Sequence, residues 1–129
     1  MLPSKEKELF EWLLNNVYND LVMSLSPISR WDCYSPSTSH RIELKCRKKH
    51  YDDLMLERKK YEAMIFKCDD NLDIPMYINS TPEGIFRFNL YLVSPEWFSK
   101  NLRATTEFAN KKWVSKEIAM LDVKDAEIL

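Results

Sequence analysis

Two carboxylates and an ammonium group recur at short spacing in one part of this 129-residue chain. Glu43 and Lys45 lie two residues apart in Ile42-Glu43-Leu44-Lys45. A strand of period 2 sends both to one face, while Ile42, Leu44 and Cys46 anchor the other. Asp32 lies eleven residues before Glu43, near the end of an extended run. A hairpin between the two runs brings Asp32 beside Glu43. This set suits metal-assisted phosphodiester hydrolysis. Asp32, Glu43 and the Leu44 carbonyl are hard oxygen ligands for Mg²⁺, which retains several waters. An ion held there polarises a phosphoryl oxygen and helps generate hydroxide from water. Lys45 is then expected to orient or deprotonate the attacking water, or to offset charge on the phosphate. The competing reading is an exposed cross-strand ion pair, worth about 0–1 kcal/mol.

The positioning elements are legible from periodicity. Leu9, Phe10, Leu13, Leu14, Val17 and Leu21 predict a helix over 4–21 with Ser4 as its cap. Glu6 falls inside the apolar arc of that helix; Glu8 and Glu11 fall outside it. Ile28 to Tyr34 reads as extended, Ser35 to Ser39 as a turn, and His40 to Arg47 as the clearest strand. Tyr51 to Phe66 returns to helical spacing, with Asp52 and Asp53 in its first turn. Residues 74–80 and 85–92 predict a second hairpin around Thr81-Pro82-Glu83-Gly84. Ser94-Pro95-Glu96-Trp97 could begin a short helix, and 112–121 favours a strand over a helix. The expected fold class is α/β (mixed α+β), one domain over 1–129 around a central sheet flanked by helices.

These residues resemble the PD-(D/E)XK nuclease superfamily. Its core runs helix, antiparallel strands bearing Asp and then Glu-x-Lys, helix, strand. Trp31-Asp32-Cys33 and Ile42-Glu43-Leu44-Lys45-Cys46-Arg47 fall in that order within residues 4–92, and the whole chain looks like small phage-encoded members. Trp31 stands where the family motif has Pro. The resemblance implies a restriction-endonuclease-like core and a Mg²⁺-dependent DNA endonuclease, with Mn²⁺ as a substitute ion. Asp32 and Glu43 would hold metal, and Asp32, Glu43 and Lys45 would be catalytic. Family members often add an acidic residue from the first helix, for which Glu6 and then Glu8 are the candidates. Many also use a Lys, Gln or Tyr on the helix after Glu-x-Lys, where Tyr51, Lys59, Lys60 and Tyr61 are available. The alternative is a catalytically silent nucleic-acid-binding or protein-interaction module on the same fold.

Charge supports a polyanionic partner. Net charge is −1, yet residues 41–60 hold eight Lys/Arg against four Asp/Glu. Arg47, Lys48, Lys49 and Lys59 are the expected contacts to DNA phosphates, the bland reading being a solvated face. A single glycine excludes the P-loop and the dinucleotide fingerprint, each of which needs several. Three cysteines without a CxxC pair argue against a disulfide framework or a cysteine zinc site. Cys33 and Cys46 are expected to be buried small hydrophobes, and His40 and His50 surface or capping residues. Phe86, Phe88, Tyr77 and Tyr91 are expected to be core rather than a base-stacking platform, and Lys111-Lys112 solvated. With no apolar signal core and no run long enough to span a bilayer, the expectation is a cytoplasmic protein of a bacterial or phage-infected cell, with no membrane partner. Because one site cuts one strand, a homodimer is compatible with double-strand cleavage.

Overall fold

The computed structural model describes residues 2–24, 32–103 and 113–129. Their elements are helix α1 (Glu6–Asn16), strands β1 (Val22–Met23), β2 (Asp32–Ser35), β3 (His40–Cys46) and β4 (Asp53–Glu57), and helix α2 (Arg58–Asn71). Strands β5 (Ile74–Thr81), β6 (Gly84–Asn89), β7 (Phe98–Arg103), β8 (Trp113–Asp122) and β9 (Glu127–Ile128) follow. The expected mixed α+β architecture is present. One sheet has six strands in the order β1-β2-β3-β5-β6-β9, and a second has three in the order β4-β8-β7.

β3 lies at the centre of the larger sheet, antiparallel to β2 and parallel to β5. Its alternation works as the sequence implies. Ile42 and Leu44 are buried with Leu9 and Leu13 of α1, Cys33 of β2, and Met76 and Ile78 of β5. The opposite face carries Glu43 and Lys45, in register with Tyr77 and Asn79 of β5. Tyr77, Phe86 and Phe88 pack there against Leu54 and Leu56 of β4, Met64 of α2 and Leu121 of β8. The sheet is thus covered by α1 on one side and by α2 with the smaller sheet on the other. Arg47 ties the layers together: its guanidinium donates to Asn79 Oδ1 (3.0 Å), the Met55 carbonyl (2.7 Å) and the Tyr77 hydroxyl (2.9 Å).

Four expectations about elements need correction. The helix assigned to 51–66 starts only at Arg58, because Leu54 and Leu56 alternate into the second core as β4. Asp53 therefore opens a strand rather than a helix, and Asp52 precedes it. The first helix ends at Asn16, so Tyr18 and Leu21 reach the core from a turn. Ser4 does not cap it; Lys5 is the N-cap, and the Ser4 hydroxyl donates to Glu8 Oε1 at 3.2 Å. Residues 94–97 begin no helix and lead into β7. The strand at 112–121 and the hairpin at 74–92 are present as β8 and as β5–β6. Gly84 closes that hairpin where a Cβ would stand 3.0 Å from the Phe86 ring. Trp31 and Lys111-Lys112 lie outside the described residues.

Candidate active site

Asp32 of β2 and Glu43 of β3 are direct partners in the antiparallel ladder, so their side chains project together from one face of the sheet. The Asp32 side chain lies close enough to Glu43 to act on its ionisation. Lys45 follows two residues along the same face, half-buried.

The electrostatics are set by burial and by converging cations. Burial acts to raise the pKa of Glu43. Hydrogen bonds from Asp32 and Lys60, with the positive charges of Lys60 and Lys45, outweigh it and hold the carboxyl below its ordinary value. Lys60, on the first turn of α2, donates from Nζ to Glu43 Oε1 at 2.8 Å. Burial lowers the pKa of Lys45, repulsion from Arg47 and Lys60 lowers it further, and Glu6 and Glu57 oppose the shift. Glu57, at the junction of β4 and α2, is itself paired with Lys116 Nζ of β8 at 2.8 Å. Glu6 comes within electrostatic reach because the segment before α1 is pinned: the Ser80 hydroxyl donates to the Pro3 carbonyl, and Ser80 faces Cys46 in the ladder.

The site therefore joins Asp32, Glu43 and Lys45 with Lys60, and sets Glu6 and Glu57 at its margin. Of the four candidates after the Glu-x-Lys strand, Lys60 is the one bonded to Glu43. Recognising β4 would have selected it, since the helix then starts at Arg58 and its first turn holds Lys60. Lys116 comes from a strand remote in sequence and carries no local signal. Lys48, Lys49 and Lys59 are exposed, whereas Arg47 is half-buried among its three acceptors.

The remaining candidates are structural. Cys33 is buried and Cys46 half-buried, and burial pushes both thiols up to about 12. His40 Nδ1 lies 2.7 Å from the Tyr18 hydroxyl, and His50 Nδ1 lies 2.9 Å from Thr81 Oγ1. Tyr77, Phe86 and Phe88 are core, as expected; Tyr91 is 43% exposed and donates to Asp69 Oδ1. Asn79 is fully buried beside Lys45, with its Oδ1 on Arg47 and its Nδ2 without a partner among the described residues.

The backbone arrangement has a counterpart among solved structures. Hjc, a Holliday junction resolvase from the archaeal hyperthermophile Archaeoglobus fulgidus, superposes with a TM-score of 0.59 over 97% of this chain and 93% of its own, at 15% identity. The fold is restriction-endonuclease-like, as in that resolvase. No protein-family model and no curated protein matches the sequence. At that identity the likeness concerns the backbone; the chemistry must be argued from this chain's own side chains. Among the described residues no helix is long and apolar enough to cross a membrane.

The donor set fits a hard divalent ion. Among the described residues no three His, Cys, Asp or Glu side chains converge. Two carboxylates are sufficient for Mg²⁺, which keeps several waters of its own. The ladder pairing sets the Asp32 and Glu43 carboxyl groups side by side, a place that favours a cation.

Proposed function

We propose that the chain is a Mg²⁺-dependent DNA endonuclease, with Mn²⁺ able to substitute, and that Asp32, Glu43 and Lys45 are its catalytic residues. The observation that carries this reading is the ladder pairing of Asp32 with Glu43, with Lys45 on the same face. The fold shared with a Holliday junction resolvase supports DNA as the substrate class.

Asp32 and Glu43 would hold the ion, whose chemistry is to polarise a phosphoryl oxygen and lower the pKa of water. In the hydrolysis, a water oxygen adds to phosphorus, one P–O ester bond breaks, and the departing oxygen takes up a proton. Lys45, its pKa lowered by burial and by Arg47 and Lys60, is suited to orient that water and accept its proton. Lys60 supplies a second positive charge on the same face, available to the phosphate once Glu43 engages another cation. Glu6 is the acidic residue at the margin. Lys48, Lys49 and Lys59 present exposed ammonium groups for flanking phosphates; Arg47 would reach one only by leaving its three acceptors.

The test is cleavage of fluorescent duplex, single-stranded, nicked and four-way-junction DNA in Mg²⁺, Mn²⁺ or EDTA, with Glu43→Ala and Lys45→Ala alongside. Metal-dependent cutting, abolished in Glu43→Ala and reduced about 10²–10⁴-fold in Lys45→Ala, is expected. The Lys60–Glu43 pair favours a second reading, a silent module in which these charges form an internal ion-pair cluster. It predicts no cutting and no rise in Tm with divalent ions, whereas a site that binds metal in the folded state must raise Tm.

A further inference from the structure

The smaller sheet does more than cover the core. β4 pairs with β8 only over residues 118–122, while β7 follows β8 back to Trp113. Residues 99–103 and 113–117 therefore form a two-stranded ribbon extending past the end of β4. Between this ribbon and the first turn of α2 lies a groove of about 650 Å³, lined by Val114 and Lys116 on one side and by Arg58, Lys59 and Lys60 on the other. Lys60 and Glu57 belong to both groove and candidate site, so the two are continuous.

The ribbon carries a concentration of positive charge. Lys100 of β7 and Lys116 of β8 are direct cross-strand partners, so both point to one face of the ribbon. Like charges directly opposite one another destabilise a sheet. That face also carries Ile118 and, on β4, Glu57, whose carboxylate Lys116 reaches at the junction with α2. Across the groove, Arg58, Lys59 and Lys60 occupy consecutive positions, and the first turn contains no acidic residue. Glu57, Glu62 and Glu117 neutralise part of this charge through Lys116 and Arg58. Lys59, at the groove, and Lys100, opposite Lys116 on β7, are exposed.

We propose that the β7–β8 ribbon is an arm that holds the sugar-phosphate backbone of DNA beside the cut, with Lys100 and Lys116 as its phosphate contacts. This rests on the nuclease reading for its substrate class. A polyanion bound along Lys100 would continue the path that begins at Lys60 and would share Lys116 with Glu57. Five residues of strand span ~17 Å. At 3.4 Å per phosphate of one strand, that matches about five nucleotides.

The experiment is fluorescence anisotropy of a DNA duplex and a four-way junction in EDTA, titrated with salt, for the parent, Lys100→Gln, and Lys100→Gln/Lys116→Gln. Lys124→Gln, at the opposite end of β8, controls for loss of charge alone. The slope of log Kd against log[NaCl] should fall by about 0.9 in the single variant and about 1.8 in the double, and remain unchanged in Lys124→Gln. Extending the duplex by about five base pairs beyond the cut should tighten binding by the parent and not by the double variant. The thermal melt of Lys100→Gln should be equal to or above that of the parent, which separates lost contacts from lost folding.

Parallel cleavage assays in Mg²⁺ distinguish the two readings. If the parent cuts DNA and the lysine variants keep its salt slope, the arm is refuted and the nuclease stands. If the parent binds through Lys100 without cutting, the arm stands and turnover is refuted. If the parent neither binds nor cuts either DNA, both fall.

Discussion

Lys60 Nζ stands 2.8 Å from Glu43 Oε1, so a cation from α2 already occupies the carboxylate that the sequence assigns to metal. A divalent ion and Lys60 must compete for that oxygen. Lys60→Met should therefore tighten Mn²⁺ binding, by about tenfold if the pair contributes ~1.4 kcal/mol to the competition. Calorimetric titration, or the rise in Tm with added Mn²⁺, measures this. DNA cleavage should fall in the same variant, because the charge left for the phosphate is gone. Weaker Mn²⁺ binding in Lys60→Met would mean that the lysine orients Glu43 instead of competing for it.

The contrast between Lys45 and Lys60 shows what sequence could reach. Asp32, Glu43 and Lys45 sit on two adjacent strands whose alternation is written in the residues themselves, so their convergence could be read directly. Lys60 depended on where α2 begins. Tyr51 to Phe66 satisfies a helical period well enough to hide β4, because Leu54 falls on one helical face with Tyr51, Arg58, Tyr61 and Ile65, and Leu56 alone marks the alternation. Only the strand partner Leu121, from the far end of the chain, decides in favour of the strand. Lys116 was out of reach for the same reason: a residue brought in by a long-range ladder leaves no mark near the motif. The early end of α1 has a similar cause. Tyr18 and Leu21 are buried in the core and mimic helical periodicity, although they reach it from a turn.

His40 should make stability depend on pH. Burial lowers its pKa from 6.5, repulsion from Arg87 lowers it further, and Glu127 opposes the shift. The neutral ring lies 2.7 Å from the Tyr18 hydroxyl, while Tyr18 accepts from Arg87 Nη1 at 2.9 Å. The unfolded chain thus binds a proton more readily than the folded one. The contribution is complete above the unfolded pKa of about 6.5 and is lost as pH falls from there toward the lower folded value. Melting curves from pH 8 to pH 5 should fall less steeply for His40→Gln than for the parent. Parallel curves would show that the ring stays neutral or is exposed in both states.

Leu72 ends α2 in the left-handed region, φ 59° and ψ 37°, with its N–H donating to the Cys68 carbonyl. A leucine there is strained by its Cβ, and at 88% exposure its side chain gains little from packing. Leu72→Gly should raise stability by about 1 kcal/mol, after allowing for the greater freedom of glycine in the unfolded chain. A denaturant titration should show a higher midpoint at unchanged slope. A drop in the midpoint would mean that the leucine is held by contacts stronger than its exposure implies.

Arg47 separates a brace from a phosphate ligand. It lies in the basic segment and was expected to touch DNA, yet its guanidinium donates to Asn79 Oδ1, the Met55 carbonyl and the Tyr77 hydroxyl. Asn79 and Tyr77 are buried, and Met55 belongs to the other sheet, so these bonds join two layers across the second core. Removing the guanidinium takes the donor from Asn79 Oδ1 where water reaches poorly, while the Met55 carbonyl keeps the Tyr77 hydroxyl. Arg47→Ala should therefore cost about 2–4 kcal/mol and lower Tm by roughly 10 °C. Lys48→Ala and Lys49→Ala, exposed on the same basic segment, should leave the melt almost unchanged and weaken DNA binding instead. Arg47→Lys is the more discriminating variant: it keeps the positive charge but cannot reproduce three donors in a planar fork. If it melts like the parent and only Arg47→Ala loses DNA affinity, Arg47 serves the phosphate and the brace is incidental.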